Sequence, residues 1–237
     1  MSPMPASAET RALENALAEK GLRLRGWMRL DATSAPIMTE GALSSALCLV
    51  GHAGGEFWPS FAEWCNQHPG TTDPLDSWSK AVIAPIAAAA GGEAVFPSDR
   101  PWHPFQQWAM AAEGLKASPL GMLIHPEFGL WHGYRGAILF GAEAAASFGV
   151  AEAERAQIRV SPHPCDSCVD KPCLLRCPVG AFTHDGLAVS TCREYLASDN
   201  GKQGCMVSGC LAREACPVGL KYRYGEVQMR FHMAAFA

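Results

Sequence analysis

CDSCVDKPCLLRCP, residues 165–178, decides how this chain is read. Cys165 and Cys168 are two residues apart, Cys173 follows after four more, and Cys177 after another three, with Pro178 next. A second run, GCMVSGCLAREACP at 204–217, holds Cys205, Cys210 and Cys216 before Pro217, and Cys192 stands alone upstream of it. A [4Fe–4S] cubane takes four thiolates, and in two-cluster ferredoxins the Cys-Pro cysteine of each motif serves the other cluster. On that rule cluster one takes Cys165, Cys168, Cys173 and Cys216, and cluster two takes Cys177, Cys192, Cys205 and Cys210. The spacing after Cys168 is longer than in the bacterial ferredoxin run, and the second group is looser still. Two Cys₄ zinc sites are the competing reading, although zinc knuckles favour short paired spacings without a Cys-Pro ending.

The rest of the composition frames this motif. Of ten cysteines only Cys48 and Cys65 lie before residue 165. Clustering of this kind, behind an N-terminus charged where a signal peptide has its apolar core, points to metal and not to disulfides. A cytoplasmic protein without a membrane span is the expectation, since the uncharged run Ala81–Gly92 is too short to cross a bilayer. Lys and Arg number 19 against 23 Asp and Glu, a net charge of −4 that argues against nucleic acid as a partner. Between Ser161 and Leu220 six acidic side chains face five basic ones. That balance favours an internal wire over a strongly acidic mobile carrier.

Upstream, helices alternate with strands. Residues 7–20 space Leu13, Ala16 and Leu17 at helical intervals, and Gly21 closes that helix. LRLRGWMRL (22–30) alternates as a half-buried strand, and ALCLV (46–50) is a short apolar strand followed by a GHAGG turn. A helix runs from Pro59 through Asn66. DPLDSWSKAVIAPIAAAA opens another, with Asp73 as its cap, Pro74 and Asp76 in its first turn, and Pro85 as a kink or break. EAVFP reads as a strand, PFQQWAMAAEGL as a helix, and LGMLI and YRGAILF as two more strands. Cys48 and Cys65 are assigned to the core. This pattern gives an α+β layered domain over 1–158 and a small two-cluster domain over 159–220, with the boundary in IRVSPHP (158–164). Residues 221–237 are expected to form a helix with Val227, Phe231 and Met233–Phe236 on its apolar face, docking on the N-terminal domain. All seven tryptophans lie upstream of the cysteine cluster. Most are assigned to core packing.

DPLDSW (73–78), RPWHPFQQWAMAAEGL (100–115) and GMLIHPEFGLWHGYRGAILF (121–140) resemble the cytosolic cobalamin-processing family, the reductive decyanases and dealkylases. The last of these stretches is also similar to the corrinoid domain of epoxyqueuosine reductase and, more remotely, of reductive dehalogenases. In epoxyqueuosine reductase a two-cluster ferredoxin segment follows, with a similar order of cysteines. Together the two resemblances span roughly residues 45–220. They imply a nitroreductase-like fold for the N-terminal domain, a ferredoxin-like fold for the second, two [4Fe–4S] clusters, and cobalamin bound without its lower base. They place His103, His125, Phe128, Gly129 and Trp131 where pocket residues of the family lie. A homodimer is a further expectation, since nitroreductase relatives often pair.

The departures are specific. SPLG at 118–121 stands where epoxyqueuosine reductases have Gly-Lys-Asn, and the chain stops at Ala237 where they continue into a helical-repeat module for tRNA. Cobalamin-processing enzymes draw on glutathione or flavin, whereas this chain would carry its own clusters and need an external electron donor. The expected activity is therefore electron transfer from the clusters to a base-off corrinoid, as cobalamin reduction or decyanation. The alternatives are a ferredoxin-type carrier with a docking domain, and a corrinoid-dependent reductase of an organic substrate. The last needs a proton donor, for which Tyr134 is the tyrosine at hand.

Overall fold

A computed structural model describes residues 7–33, 35–151 and 162–237. The chain divides into two compact units. One comprises Met1–Gly114 with Gly133–Val160, the other Leu115–His132 with Ser161–Ala237. The sequence reading placed everything before residue 158 in one body; here Leu115–His132 groups instead with the cysteine-rich part. The boundary expected within IRVSPHP falls largely outside the described residues.

In the first unit the elements are α1 (Ala8–Ala18), β1 (Arg23–Arg29), β2 (Ala46–Ala53), α2 (Trp58–Gln67), α3 (Pro74–Ala89), β3 (Glu93–Val95) and α4 (Phe105–Glu113). After the excursion through β4 (Lys116–Ala117) and β5 (Leu123–Ile124) come β6 (His132–Phe140) and α5 (Ala142–Ser147). β1, β2, β6 and β3 form one sheet in that order, with β1 antiparallel to β2 and β3 antiparallel to β6. Every residue of β2 is buried, which accounts for its unbroken apolar run. That strand continues through Gly51, His52 and Ala53, so the first half of GHAGG is strand and only Gly54 and Gly55 turn. α1 starts where Ser7 accepts the Thr10 N–H at 3.1 Å, and it buries Leu13 and Leu17. Gly26 leaves room on β1 for Ala112 and Glu113 of α4 to approach its backbone.

Three local expectations are corrected. Asp73 does not cap α3 with its carboxylate. It takes a left-handed backbone (φ 46°), and its carbonyl accepts from Asp76 and Ser77 at 3.1 and 3.0 Å. Pro85 does not end α3, which runs on to Ala89. Cys48 is core, paired with Trp27 across β1 and β2, but Cys65 is only half-buried.

In the second unit β4 and β5 pair antiparallel. Further along are α6 (Pro172–Leu175), the hairpin β7 (Phe182–Thr183) and β8 (Gly186–Leu187), α7 (Val189–Ala197), α8 (Asp199–Gln203), α9 (Cys205–Ser208), α10 (Leu211–Glu214) and α11 (Glu226–Phe236). α11 is the expected C-terminal helix with a different face inward. Gln228 and Met229 are buried, and Val227 is 69% exposed. It packs on α9 within the second unit, and Met229 joins Trp131 and Tyr224 in a core cluster.

Candidate functional site

The local chain path explains how the cysteine runs are held. Lys171 has a left-handed backbone (φ 41°), and its ammonium donates to the carbonyls of Cys165 and of Cys168, the latter at 2.8 Å. That closes the Cys165–Cys168 loop over itself just before Pro172 starts α6. Past Cys177 the chain turns so that the Ala181 N–H donates to the Cys177 sulfur at 3.3 Å. α7 carries Cys192, α9 begins at Cys205, and Cys210 caps the N-terminus of α10. Cys216 is buried just beyond α10.

Electrostatics divides the eight thiols into two sets. Burial is the largest cause that pushes Cys165 up, and it is then repelled by Cys216, Cys173 and Cys168. Burial likewise raises Cys173, with repulsion from Cys216 and Cys168, and raises Cys216, with repulsion from Cys168. Cys192, also raised first by burial, feels Cys210, Cys177 and Cys205. Cys210 is raised by burial and feels Cys205 and Cys177. Each set joins three cysteines to a fourth that is distant in sequence. Main-chain N–H groups of Val218, Leu174 and Arg213 favour the thiolates of Cys216, Cys173 and Cys210 respectively. Donors of this kind stabilise metal-bound sulfur. Leu120, Ile124 and Leu130 wall the space beside Cys165, Cys168, Cys173 and Cys216.

Among the described residues no three His, Cys, Asp or Glu side chains converge as for a single metal ion. One zinc draws its sulfurs to about 2.3 Å from a common centre. A cubane keeps each thiolate on its own iron, so its four ligands stand further apart. Two sets of four thiols, with N–H donors on sulfur and an apolar wall, are chemically suited to that arrangement.

His125 ends the β4–β5 hairpin, where it bridges to Gly129. Its Nδ1 accepts from the Glu127 and Phe128 N–H groups at 3.0 and 3.1 Å, and its ring stacks on Phe128 at 4.1 Å. His125, Phe128 and Gly129 therefore share one turn. His103 lies in the other unit, before α4, stacked on Trp108 at 5.4 Å. Trp131 is wholly buried and packs with Tyr224 and Met229. The Arg213 guanidinium lies 4.3 Å from the Trp131 ring centre and 4.6 Å from that of Tyr224. It also donates to the Leu130 carbonyl at 2.6 Å. Tyr134 is committed elsewhere: its hydroxyl donates to Glu113, which Arg25 grips at 2.9 and 3.0 Å.

Sequence reasoning missed Lys171, Arg213 and Tyr224. The one advance signal was position: Lys171 lies between Cys168 and Cys173, and Arg213 between Cys210 and Cys216. A cavity of about 560 Å³ in the first unit is lined by Leu13, Ala16, Ile86, Ala89 and Phe148 among others, and none of the resemblance-derived residues reaches it.

No protein-family model matches the chain, and no curated protein matches it in sequence. A solved structure resembles it in fold. The chain is similar to CblC. That structure is of the B12-trafficking protein CblC from C. elegans, a human MMACHC homologue, with a TM-score of 0.51 and 13% identity over 95% of this chain and 92% of CblC. At that identity the shared property is the fold, mixed α and β as in CblC. Among the described residues no helix is long and apolar enough to cross a membrane.

Proposed function

We propose that this chain is an iron–sulfur oxidoreductase that passes single electrons to a cobalamin-type corrinoid bound base-off. Its work is cobalamin reduction or reductive decyanation. One observation carries the reading: Cys165, Cys168 and Cys173 of the first run and Cys216 of the second line one small space together. The corrinoid half is supported by the CblC-like fold and by the HPEFG turn. Paired [4Fe–4S] clusters supply one-electron transfer at potentials tuned by charge, hydrogen bonds to sulfur and exposure. The chain's own part is to hold the thiolates in two sets, direct N–H donors at them, and keep water from Cys173 and Cys216 with Leu120, Ile124 and Leu130. An external electron donor completes the cycle, and a homodimer is compatible with the reading.

A specific observation keeps the electron-carrier alternative in play. Of the five resemblance-derived residues, only His125, Phe128 and Gly129 share one turn, and Trp131 is wholly buried. The organic-substrate alternative is weakened by Tyr134, whose proton is engaged by Glu113.

The test is a visible-spectrum titration of the anaerobically reconstituted chain with cobalamin, before and after a strong reductant. A base-off spectrum followed by cobalt reduction faster than in cluster-free protein is expected. Cluster absorbance without cobalamin binding would leave the electron-carrier reading.

A further inference from the structure

The HPEFG turn and the second Cys-Pro motif meet backbone to backbone inside the second unit. Gly129 has φ +60° and Gly219 has φ +74°. A Cβ at Gly129 would fall onto the Val218 carbonyl, and a Cβ at Gly219 onto the Phe128 carbonyl. The contact is therefore reciprocal, and each glycine is required by the partner's main chain as well as by its own conformation. Val218 lies two residues after Cys216 in the chain. Side chains close the joint from outside. The Tyr222 hydroxyl donates to Glu127, Lys221 reaches the same carboxylate at 3.3 Å, and Phe128 meets Tyr222 edge-on at 4.9 Å. On the turn's own side, the His125 Nδ1 bonds fix the loop between His125 and Phe128.

We propose that the His125–Gly129 turn is the mount of cluster one: Gly129 and Gly219 are positioning residues that set where Cys216 presents its sulfur. This rests on the two-cluster reading. Cys216 is the ligand that crosses from the second run to the first set, so it has no short local loop to hold it as Cys165, Cys168 and Cys173 have. The joint replaces that loop. Whatever docks on the turn then lies two residues of main chain from a ligand of cluster one, while cluster two has no such contact with the turn among those described.

The experiment uses the full chain, reconstituted anaerobically, as wild type, Gly129→Ala and Gly121→Ala. Gly121 is the control: it has φ +78° in the same unit, but open space lies around its Cβ position. It therefore carries the backbone strain without the clash. Iron and sulfide are assayed, and the dithionite-reduced protein is examined by electron paramagnetic resonance. Wild type and Gly121→Ala should bind about eight irons, and Gly129→Ala about four, with the spectrum of a single reduced centre in place of two interacting ones. Gly129→Ala with full iron and the wild-type spectrum overturns the proposal. Should Gly129→Ala not fold, Tyr222→Phe loosens the joint without any clash. It should move the midpoint potential of one cluster and leave the other in place, and moving neither or both overturns the proposal. A wild type that takes up no iron sinks the two-cluster reading itself, whereas eight irons with an indifferent Gly129→Ala sinks only the mount. None of these readouts depends on cobalamin.

Discussion

Glu113 shows how one buried side chain ties several elements together. It accepts both nitrogens of Arg25 from β1 and the Tyr134 hydroxyl from β6, while Arg25 also donates to the His52 carbonyl on β2 at 3.1 Å. Burial dominates over Arg25 and Tyr134 and pushes the Glu113 carboxyl above its ordinary value of 4.5. The folded chain thus holds this proton more tightly than the unfolded chain does. The stability it contributes is complete below 4.5 and is lost as pH rises through the folded value. Glu113→Gln removes that slope, so urea titrations at pH 5 and pH 8 should show wild type losing ground to the Gln variant at the higher pH. Glu113→Ala is a different change, because it leaves the Arg25 guanidinium buried without its carboxylate, and it should cost about 3–5 kcal/mol. Lys171 carries a second residue-scale prediction. Its ammonium sits on the Cys165 and Cys168 carbonyls and favours the charged form of Cys165. On the two-cluster proposal, Lys171→Met should lower the midpoint of cluster one by roughly the 59 mV that corresponds to tenfold in a one-electron equilibrium, leaving cluster two unmoved. A redox titration followed by electron paramagnetic resonance checks it.

At the scale of elements, α11 separates what periodicity conveys from what packing decides. Its existence follows from the sequence, but its inward face does not. Val227, Phe231 and Met233–Phe236 make a plausible apolar stripe, yet the helix turns Gln228 and Met229 inward, because Met229 meets Trp131, Tyr224 and the Gly209 turn. Met229→Ala should therefore cost about 2–4 kcal/mol in denaturant unfolding, and Val227→Ala less than about 0.5. Equal effects would restore the sequence-based face. Similar reasons mark the other limits of the sequence. α1, β1, β2 and α3 are legible from spacing and turn residues, since local rules fix them. Asp73 looks like a carboxylate cap because its residue type fits, whereas its left-handed backbone leaves the carboxylate without a capping bond, and residue type does not convey that conformation. The approach of Cys216 to Cys165, Cys168 and Cys173 agrees with ligand counting, a global constraint written in one dimension. Arg213 between Trp131 and Tyr224 is not legible, since those three residues meet only after folding.

For the whole molecule, the two units differ in what holds them together. The first has a four-stranded sheet with a fully buried central strand and a core that includes Trp27, Phe57, Phe61, Trp78 and Phe140. The second has two short hairpins and, apart from α7 and α11, helices of four or five residues. One of its core clusters sets Cys173, Cys216 and Ala212 of the cysteine runs beside Leu120, Ile124 and Leu130, and another joins Trp131, Tyr224 and Met229. Isolated helices of that length are far too short to persist alone. On the two-cluster proposal, metal ligation contributes folding free energy to this unit directly, as in other small metal-dependent domains. Anaerobic removal of iron with a chelator should lower or abolish the calorimetric transition of the second unit and leave that of the first in place. Trp131 gives an independent reading, being the one tryptophan assigned to the second unit. In a variant that keeps it as the sole tryptophan, its emission should shift to the red on iron removal as the indole meets water. If the calorimetric profile and this emission were both indifferent to iron, the second unit would be folding on its apolar contacts alone, and the thiols would not be structural ligands.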